Sequence, residues 1–192
     1  MNNNERYKKM KNLSPIVLFV YNRPWHTQQT IEALEKNELA SQSNLIIYSD
    51  EAKTKNEQEN VDKVRLYISQ INKFQKVTII KREKNWGLAN NIIDGITEVV
   101  NQHGKIIVLE DDLVTSSHFL KYMNEALEFY KDEEQVMSVS GFSYLKKIPK
   151  NYNKDVFIFY RPCSWGWAIW KNEWKLIDFN ITQSHEIFSN IS

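Results

Sequence analysis

KIIVLEDDL, residues 105–113, is the stretch whose reading decides the fold. Ile106, Ile107, Val108 and Leu109 form a short apolar run, β-branched at three of four positions. Such a run suits a strand buried on both faces. It ends in three carboxylates, Glu110, Asp111 and Asp112. Carboxylates are costly to bury without a counter-charge, so they belong at the strand's open end. In an open α/β sheet, ligands bind at the carboxyl ends of the strands. A hard divalent cation takes oxygen ligands of this kind. The triplet therefore reads as a metal site at the mouth of a sheet. A charged turn after a core strand is the plainer alternative.

The segments around it alternate. Residues 16–21, IVLFVY, read as a first buried strand, and the turn Asn22-Arg23-Pro24 starts a helix near Pro24 or Thr27 that runs to about Ala40. Residues 44–49, NLIIYS, are a second strand ending in Asp50-Glu51. Residues 53–60 are polar, a loop or helix entry, before Val61, Val64, Ile68 and Ile71 recur at helical spacing. A third strand over 76–80 leads through Arg82 and Gly87 into a third helix marked by Leu88, Ile92, Ile96 and Val99. Gly104 closes that helix. Beyond the central stretch, Ser116 and Ser117 are candidate N-caps for a helix carrying Phe119, Met123, Leu127 and Tyr130. Residues 136–140 and 156–160 are expected as fifth and sixth strands. The order β-α-β-α-β-α-β-α-β implies an α/β fold with a doubly wound, mainly parallel sheet and helices on both faces.

The bulk numbers bound the class. The chain has 192 residues, 42% of them apolar and 26% charged, as in one ordinary globular domain. A net charge of +1 leaves no footprint for nucleic acid. A single cysteine, Cys163, excludes an internal disulfide framework and is compatible with a reducing cytoplasm. The longest apolar stretch, 15–21, falls far short of the roughly 20 residues that span a bilayer. Peripheral attachment at the inner face of a membrane stays open. Residues 1–14 read as a disordered lead-in without a signal-peptide core, 15–178 as the folded domain, and 179–192 as an incomplete C-terminal tail.

Four turns fall at strand carboxyl ends on one rim. They carry Asn22-Arg23, Asp50-Glu51, Arg82 and Glu110-Asp111-Asp112. Separated arginines with clustered acids suit a metal-bound diphosphate, the acids holding the cation and an arginine meeting phosphate oxygens in a fork. Singly, each is better read as a solvated turn charge; their joint placement favours the site. There is no Walker loop, no G-x-G-x-x-G and no G-x-S-x-G. The four histidines show no metal spacing, and Cys163 reads as a packed thiol. In CSWGWAIWKNEW, residues 163–174, four of the chain's six tryptophans lie together. One or two are expected to line a site beside Gly166, and the rest to pack.

The ordered set VLFVYNRP, IIYSDE, KREKNWGLANNIIDGI, VLEDDLVTSSHFLKYMNEAL, VMSVSGF and SWGWAIW resembles the GT-A-fold glycosyltransferases. It is most similar to the N-acetylglucosaminyltransferase I family and to bacterial relatives that build surface polysaccharides. The resemblance covers about residues 15–178. It implies an inverting transfer of sugar from a nucleotide donor, a UDP-sugar, to a glycan or lipid-linked acceptor. It implies that Asp112 ligates manganese or magnesium, and that Asp111 and Glu110 touch ribose or donor sugar. Arg23 would contact nucleotide or phosphate, Asp50 the base and Arg82 the nucleotide. Trp165 and Gly166 fall in the aromatic segment near the sugar.

The family's catalytic carboxylate lies downstream of the tryptophan segment. The acids there, Glu173, Asp178 and Glu186, lack its context. Two rival readings therefore stand beside the enzyme. One is a truncated or degenerate nucleotide-sugar-binding module. The other is a nucleotidyltransferase on a related fold, which would carry a glycine-rich loop where this chain has Asn22-Arg23-Pro24-Trp25.

Overall fold

Alternation in the sequence becomes alternation in the chain path. A computed structural model describes residues 12–145, 147 and 149–179. Strand β1 (Ile16–Val20) leads into helix α1 (Pro24–Glu35), β2 (Asn44–Ser49) into α2 (Lys55–Ile68), and β3 (Lys76–Lys81) into α3 (Leu88–His103). Then come β4 (Lys105–Glu110), α4 (Phe119–Phe129), β5 (Ser138–Ser140), β6 (Trp167–Trp170) and the single turn α5 (Lys171–Trp174). The strands form one sheet in the order β3-β2-β1-β4-β6-β5. The first four are mutually parallel; β6 runs antiparallel to both β4 and β5.

Side-chain alternation along the strands splits the core into two layers. Ile16, Leu18, Val20, Ile107 and Leu109 pack with Ile31, Leu34, Val64, Ile68 and Met123, so α1, α2 and α4 cover one face. Val17, Phe19, Ile106 and Val108 pack with Ile96, Val99, Val100 and Trp174, so α3 and α5 cover the other. The central strand β1 is buried at every position, as a strand covered on both faces must be. Edge strand β3 carries exposed lysines at both ends, which discourages further strand pairing.

Four expectations need correction. Helix α1 ends at Glu35, not near Ala40. The sixth strand is Trp167–Trp170, not residues 156–160. Both segments are apolar and strand-like, but only one fits beside β4: Ala168 and Ile169 are fully buried there, whereas Ile158 and Tyr160 lie exposed. The fifth strand is shorter than 136–140, covering Ser138–Ser140. Helix α4 is not capped by Ser116 or Ser117 side chains. Its Leu120 N–H donates to Asn37 Oδ1 at 2.9 Å, a cap supplied from the end of α1. Asn37 Nδ2 reaches Ala33 O and Thr115 Oγ1, so one amide ties three segments.

Gly104 closes α3 in the left-handed region at φ +78°, as its position suggested. Most of the expected lead-in and tail lies outside the described residues. Of the part described, Ser14 is buried and its N–H donates to Asn124 Oδ1 at 2.8 Å. No described helix is long and apolar enough to cross a membrane.

Candidate functional site

Because β1 to β4 are parallel, their carboxyl ends share one rim of the sheet. Arg23 follows β1, Asp50 follows β2, Arg82 follows β3, and Glu110, Asp111 and Asp112 end β4. The antiparallel direction of β6 brings Trp165 and Gly166 to the same rim, since Trp167 pairs with Val108. All eight residues singled out in the sequence thus occur along one edge.

Their surroundings differ. Asp112 is exposed, and its Oδ2 accepts from Arg23 Nη1 at 3.0 Å. Asp111 is buried; its Oδ2 accepts from the Tyr21 N–H at 3.2 Å and clips β4 to β1. Burial pushes the Asp111 carboxyl above its ordinary range, the Tyr21 N–H and Arg23 opposing the rise. Glu110 is half-buried and also raised, by burial first and then by the Asp112 and Asp111 charges. An ion pair as exposed as Arg23–Asp112 contributes only about 0–1 kcal/mol. An incoming anion and cation can therefore separate the two side chains at little cost.

Among the described residues, no group of three or more histidine, cysteine or acidic side chains is arranged to hold a metal ion alone. A cation bound through one or two carboxylates plus substrate phosphates needs no such cage. Asp112 fits that role: a hard oxygen donor, solvent-accessible, with a displaceable partner.

Asp50 is buried and heavily engaged. Its Oδ1 accepts from the N–H groups of Glu51 and Trp86, each at 2.9 Å. Its Oδ2 accepts from the Gly87 N–H at 3.0 Å and from Asn85 Nδ2 at 3.3 Å. A carboxylate offers about four acceptor positions, so these bonds use its capacity to hold the segment after β3. Arg82 is likewise committed. Its guanidinium lies over the Trp86 ring at 4.1 Å and the Tyr48 ring at 5.0 Å, and it donates to Asn91 and Asp94 of α3.

Trp165 is half-exposed and packs with Phe142 and Tyr144, its ring 4.7 and 5.8 Å from theirs. Gly166 has φ +69°, and a Cβ there would lie 3.1 Å from the Phe119 ring, so glycine suits this crossing. Trp170 and Trp174 pack away from the rim, their Nε1 atoms donating to Leu127 O and Thr97 Oγ1. Cys163 is buried, as expected of a packed thiol.

Glu173, a candidate base, sits in α5 just after Trp170, which pairs with Lys105 at the start of β4. The six residues of β4 separate it from the rim by roughly 20 Å. Glu186 lies outside the described residues. Sequence reasoning missed Arg65 and Tyr21, and placed Asn22 on the rim without its partner. The Lys53 N–H donates to Tyr21 Oη, and Asn22 Nδ2 donates to Glu57, so the β1 turn is tied to the start of α2. Arg65 had a signal: it stands four residues after Val61 and three before Ile68, a charge on the inward side of a helix.

An α/β sheet with this rim defines a GT-A-type glycosyltransferase domain. The chain belongs to glycosyl transferase family 2, whose profile matches residues 16–186. Among solved structures, the mannosyltransferase PcManGT from Pyrobaculum calidifontis, in complex with GDP-Man and Mn2+, shares the fold. It is 10% identical, covers 88% of this chain and 50% of its own, and has a TM-score of 0.50. A structure of S. aureus TarS matches at 15% identity over 61% of this chain and 20% of that one, with a TM-score of 0.42. The chain thus spans a fifth to a half of these proteins' length. No curated protein sequence matches it significantly.

Proposed function

We propose that the chain transfers a sugar from a nucleoside diphosphate donor, a UDP-sugar, to a glycan or lipid-linked acceptor with inversion, using manganese or magnesium. The carrying observation is the pairing of exposed Asp112 with half-exposed Arg23 at the mouth of a parallel sheet. An anion-binding fork and a cation-binding carboxylate are in direct contact there at 3.0 Å, and a metal-bound diphosphate would enter by separating them, the cation to Asp112 and the phosphate oxygens to Arg23. The family membership and the Mn2+ and GDP-Man in the PcManGT structure support the same reading.

In this reading Arg23 turns from Asp112 to the diphosphate oxygens. Asp112 would hold the cation, which neutralises the leaving nucleoside diphosphate as a Lewis acid when bound. Glu110 and Asp111 face the ribose or donor sugar, and Trp165 with Gly166 borders the sugar. Asp50 and Arg82 shape the wall on which the base rests. The acceptor hydroxyl loses its proton to a general base as it attacks the anomeric carbon. Glu173 stands too far from the rim for that role. A lipid-linked acceptor would bring the chain to the inner face of a membrane as a peripheral protein. Exposed Tyr152, Phe159 and Tyr160 near Lys150, Lys154 and Arg161 suit such a surface.

The test is calorimetric titration of UDP, with GDP in parallel, in manganese and then in EDTA. Manganese-dependent binding is expected, weakened by roughly tenfold or more, about 1.4 kcal/mol, in Asp112→Ala. Full affinity in that variant overturns the metal assignment. Absence of binding in the wild type overturns the donor assignment.

A further inference from the structure

We infer that Arg65 is a positioning residue for the nucleotide site, bracing the ends of β2 and β3 so that the loop after β3 forms the base-side wall. The inference rests on the function proposed above and adds a residue outside the rim.

Arg65 is a charged side chain on the buried side of α2, only 15% exposed. Its guanidinium spends its donors on two strand ends. Nε donates to Ser49 Oγ at 3.2 Å and Nη1 to Glu51 at 2.7 Å. Nη2 donates to the carbonyls of Asp50 at 3.3 Å and Arg82 at 3.0 Å. Beyond the last ladder bond of a sheet, terminal carbonyls have no strand partner and must find another donor. Here one planar guanidinium serves both ends together with the Ser49 and Glu51 side chains, four partners spread over three nitrogens that a lysine's single ammonium does not reach together.

The consequence passes outward by contact. The backbone of Asp50 is held by Arg65, and the side chain of Asp50 holds the Trp86 and Gly87 N–H groups and Asn85. The backbone of Arg82 is held by Arg65, and the side chain of Arg82 carries the Trp86 ring. These two supports of the 85–87 segment therefore lead back to one guanidinium, beside local bonds from Asn90 to Trp86 O and from the Asn91 N–H to Gly87 O. The same helix reaches the phosphate side. Its first turn is closed by Glu57, which accepts from the Thr54 N–H and hydroxyl and from Asn22, the residue before Arg23. Helix α2 thus spans the two ends of the rim, with Arg65 at the base end.

A residue acting this way affects the base and leaves the diphosphate end alone. The experiment uses Arg65→Lys, which keeps the charge and loses the fork, and Arg65→Met, which loses both. Titrations with manganese compare UDP against inorganic pyrophosphate, which lacks the base. The expected result is about tenfold weaker UDP binding in both variants, with pyrophosphate affinity within about twofold of wild type. Hydrogen exchange, read without ligand, should quicken by about tenfold or more at the Trp86 and Gly87 amides and stay unchanged at Leu18 and Leu109. Equal losses for UDP and pyrophosphate, or unchanged exchange at Trp86 and Gly87 in Arg65→Lys, would overturn the inference. If wild type binds pyrophosphate but no nucleotide, the proposed donor falls, and with it the base-side role. The exchange arm then still decides whether Arg65 holds the loop.

Discussion

Glu51 shows how a single rim charge is set by its neighbours. Its carboxyl is held below its ordinary value of 4.5 by the Ala52 N–H first, and by Arg65 and Gln58 against some burial. The folded protein therefore binds fewer protons there than the unfolded chain, so this contribution is present above about pH 4.5 and lost as pH falls through the lower folded value. Urea midpoints of wild type and Glu51→Gln should differ by a constant amount from neutral pH to about pH 5 and converge below about pH 4.5. A difference that does not shrink in acid would exclude Glu51 as the source. Asn37 is a second residue whose worth lies in long-range bonds. Asn37→Ala removes the α4 cap and two further bonds, and should cost about 1–2 kcal/mol in chemical unfolding. The rim residues themselves were legible because acids and arginines after apolar runs have few other places to go. Their partners were not. Asp50 meets Gly87 across 37 positions, and Arg65 meets Arg82 across 17, distances no local pattern encodes.

At the scale of elements, helix α3 shows two effects in competition. Gly95 lies in its middle, against the sheet. Alanine there gains about 1 kcal/mol of helix propensity. Its Cβ, however, would stand 2.8 Å from Phe19 and 3.0 Å from Tyr48, two buried rings that already stack at 5.4 Å. Overpacking of a filled core costs typically 1–3 kcal/mol. The clash should prevail, and Gly95→Ala should lower the unfolding free energy by about 1 kcal/mol; a more stable variant would show that the sheet yields. Helix positions were legible from 3.6-residue spacing because each helix buries one stripe. The sixth strand was misread because two aromatic segments, 156–160 and Trp167–Trp170, carry the same local signal. Only the space beside β4 distinguishes them: it accepts Ala168 and Ile169 between flanking tryptophans.

The described residues form one sheet with two apolar layers, and β1 and β4 contribute alternate side chains to both. Neither layer can be lost without exposing those central strands. Urea unfolding should therefore be a single transition, with tryptophan fluorescence, which reports Trp170 in one layer and Trp167 and Trp174 in the other, coinciding with far-UV circular dichroism. Separate midpoints would mean that the layers open independently. From sequence alone came the alternation of strands and helices, the parallel sense it imposes, and hence the collection of Arg23, Asp50, Arg82 and the Glu110–Asp112 acids on one rim. Periodicity and end-of-strand charges are properties of short segments, and short segments are what a sequence displays. Tertiary structure alone decided the order β3-β2-β1-β4-β6-β5, the reversal that carries Trp165 to the rim, the remoteness of Glu173, and the bracing of two strand ends by Arg65. These depend on which distant groups meet when the sheet closes, and that is settled by packing and by satisfying buried polar groups across the whole chain.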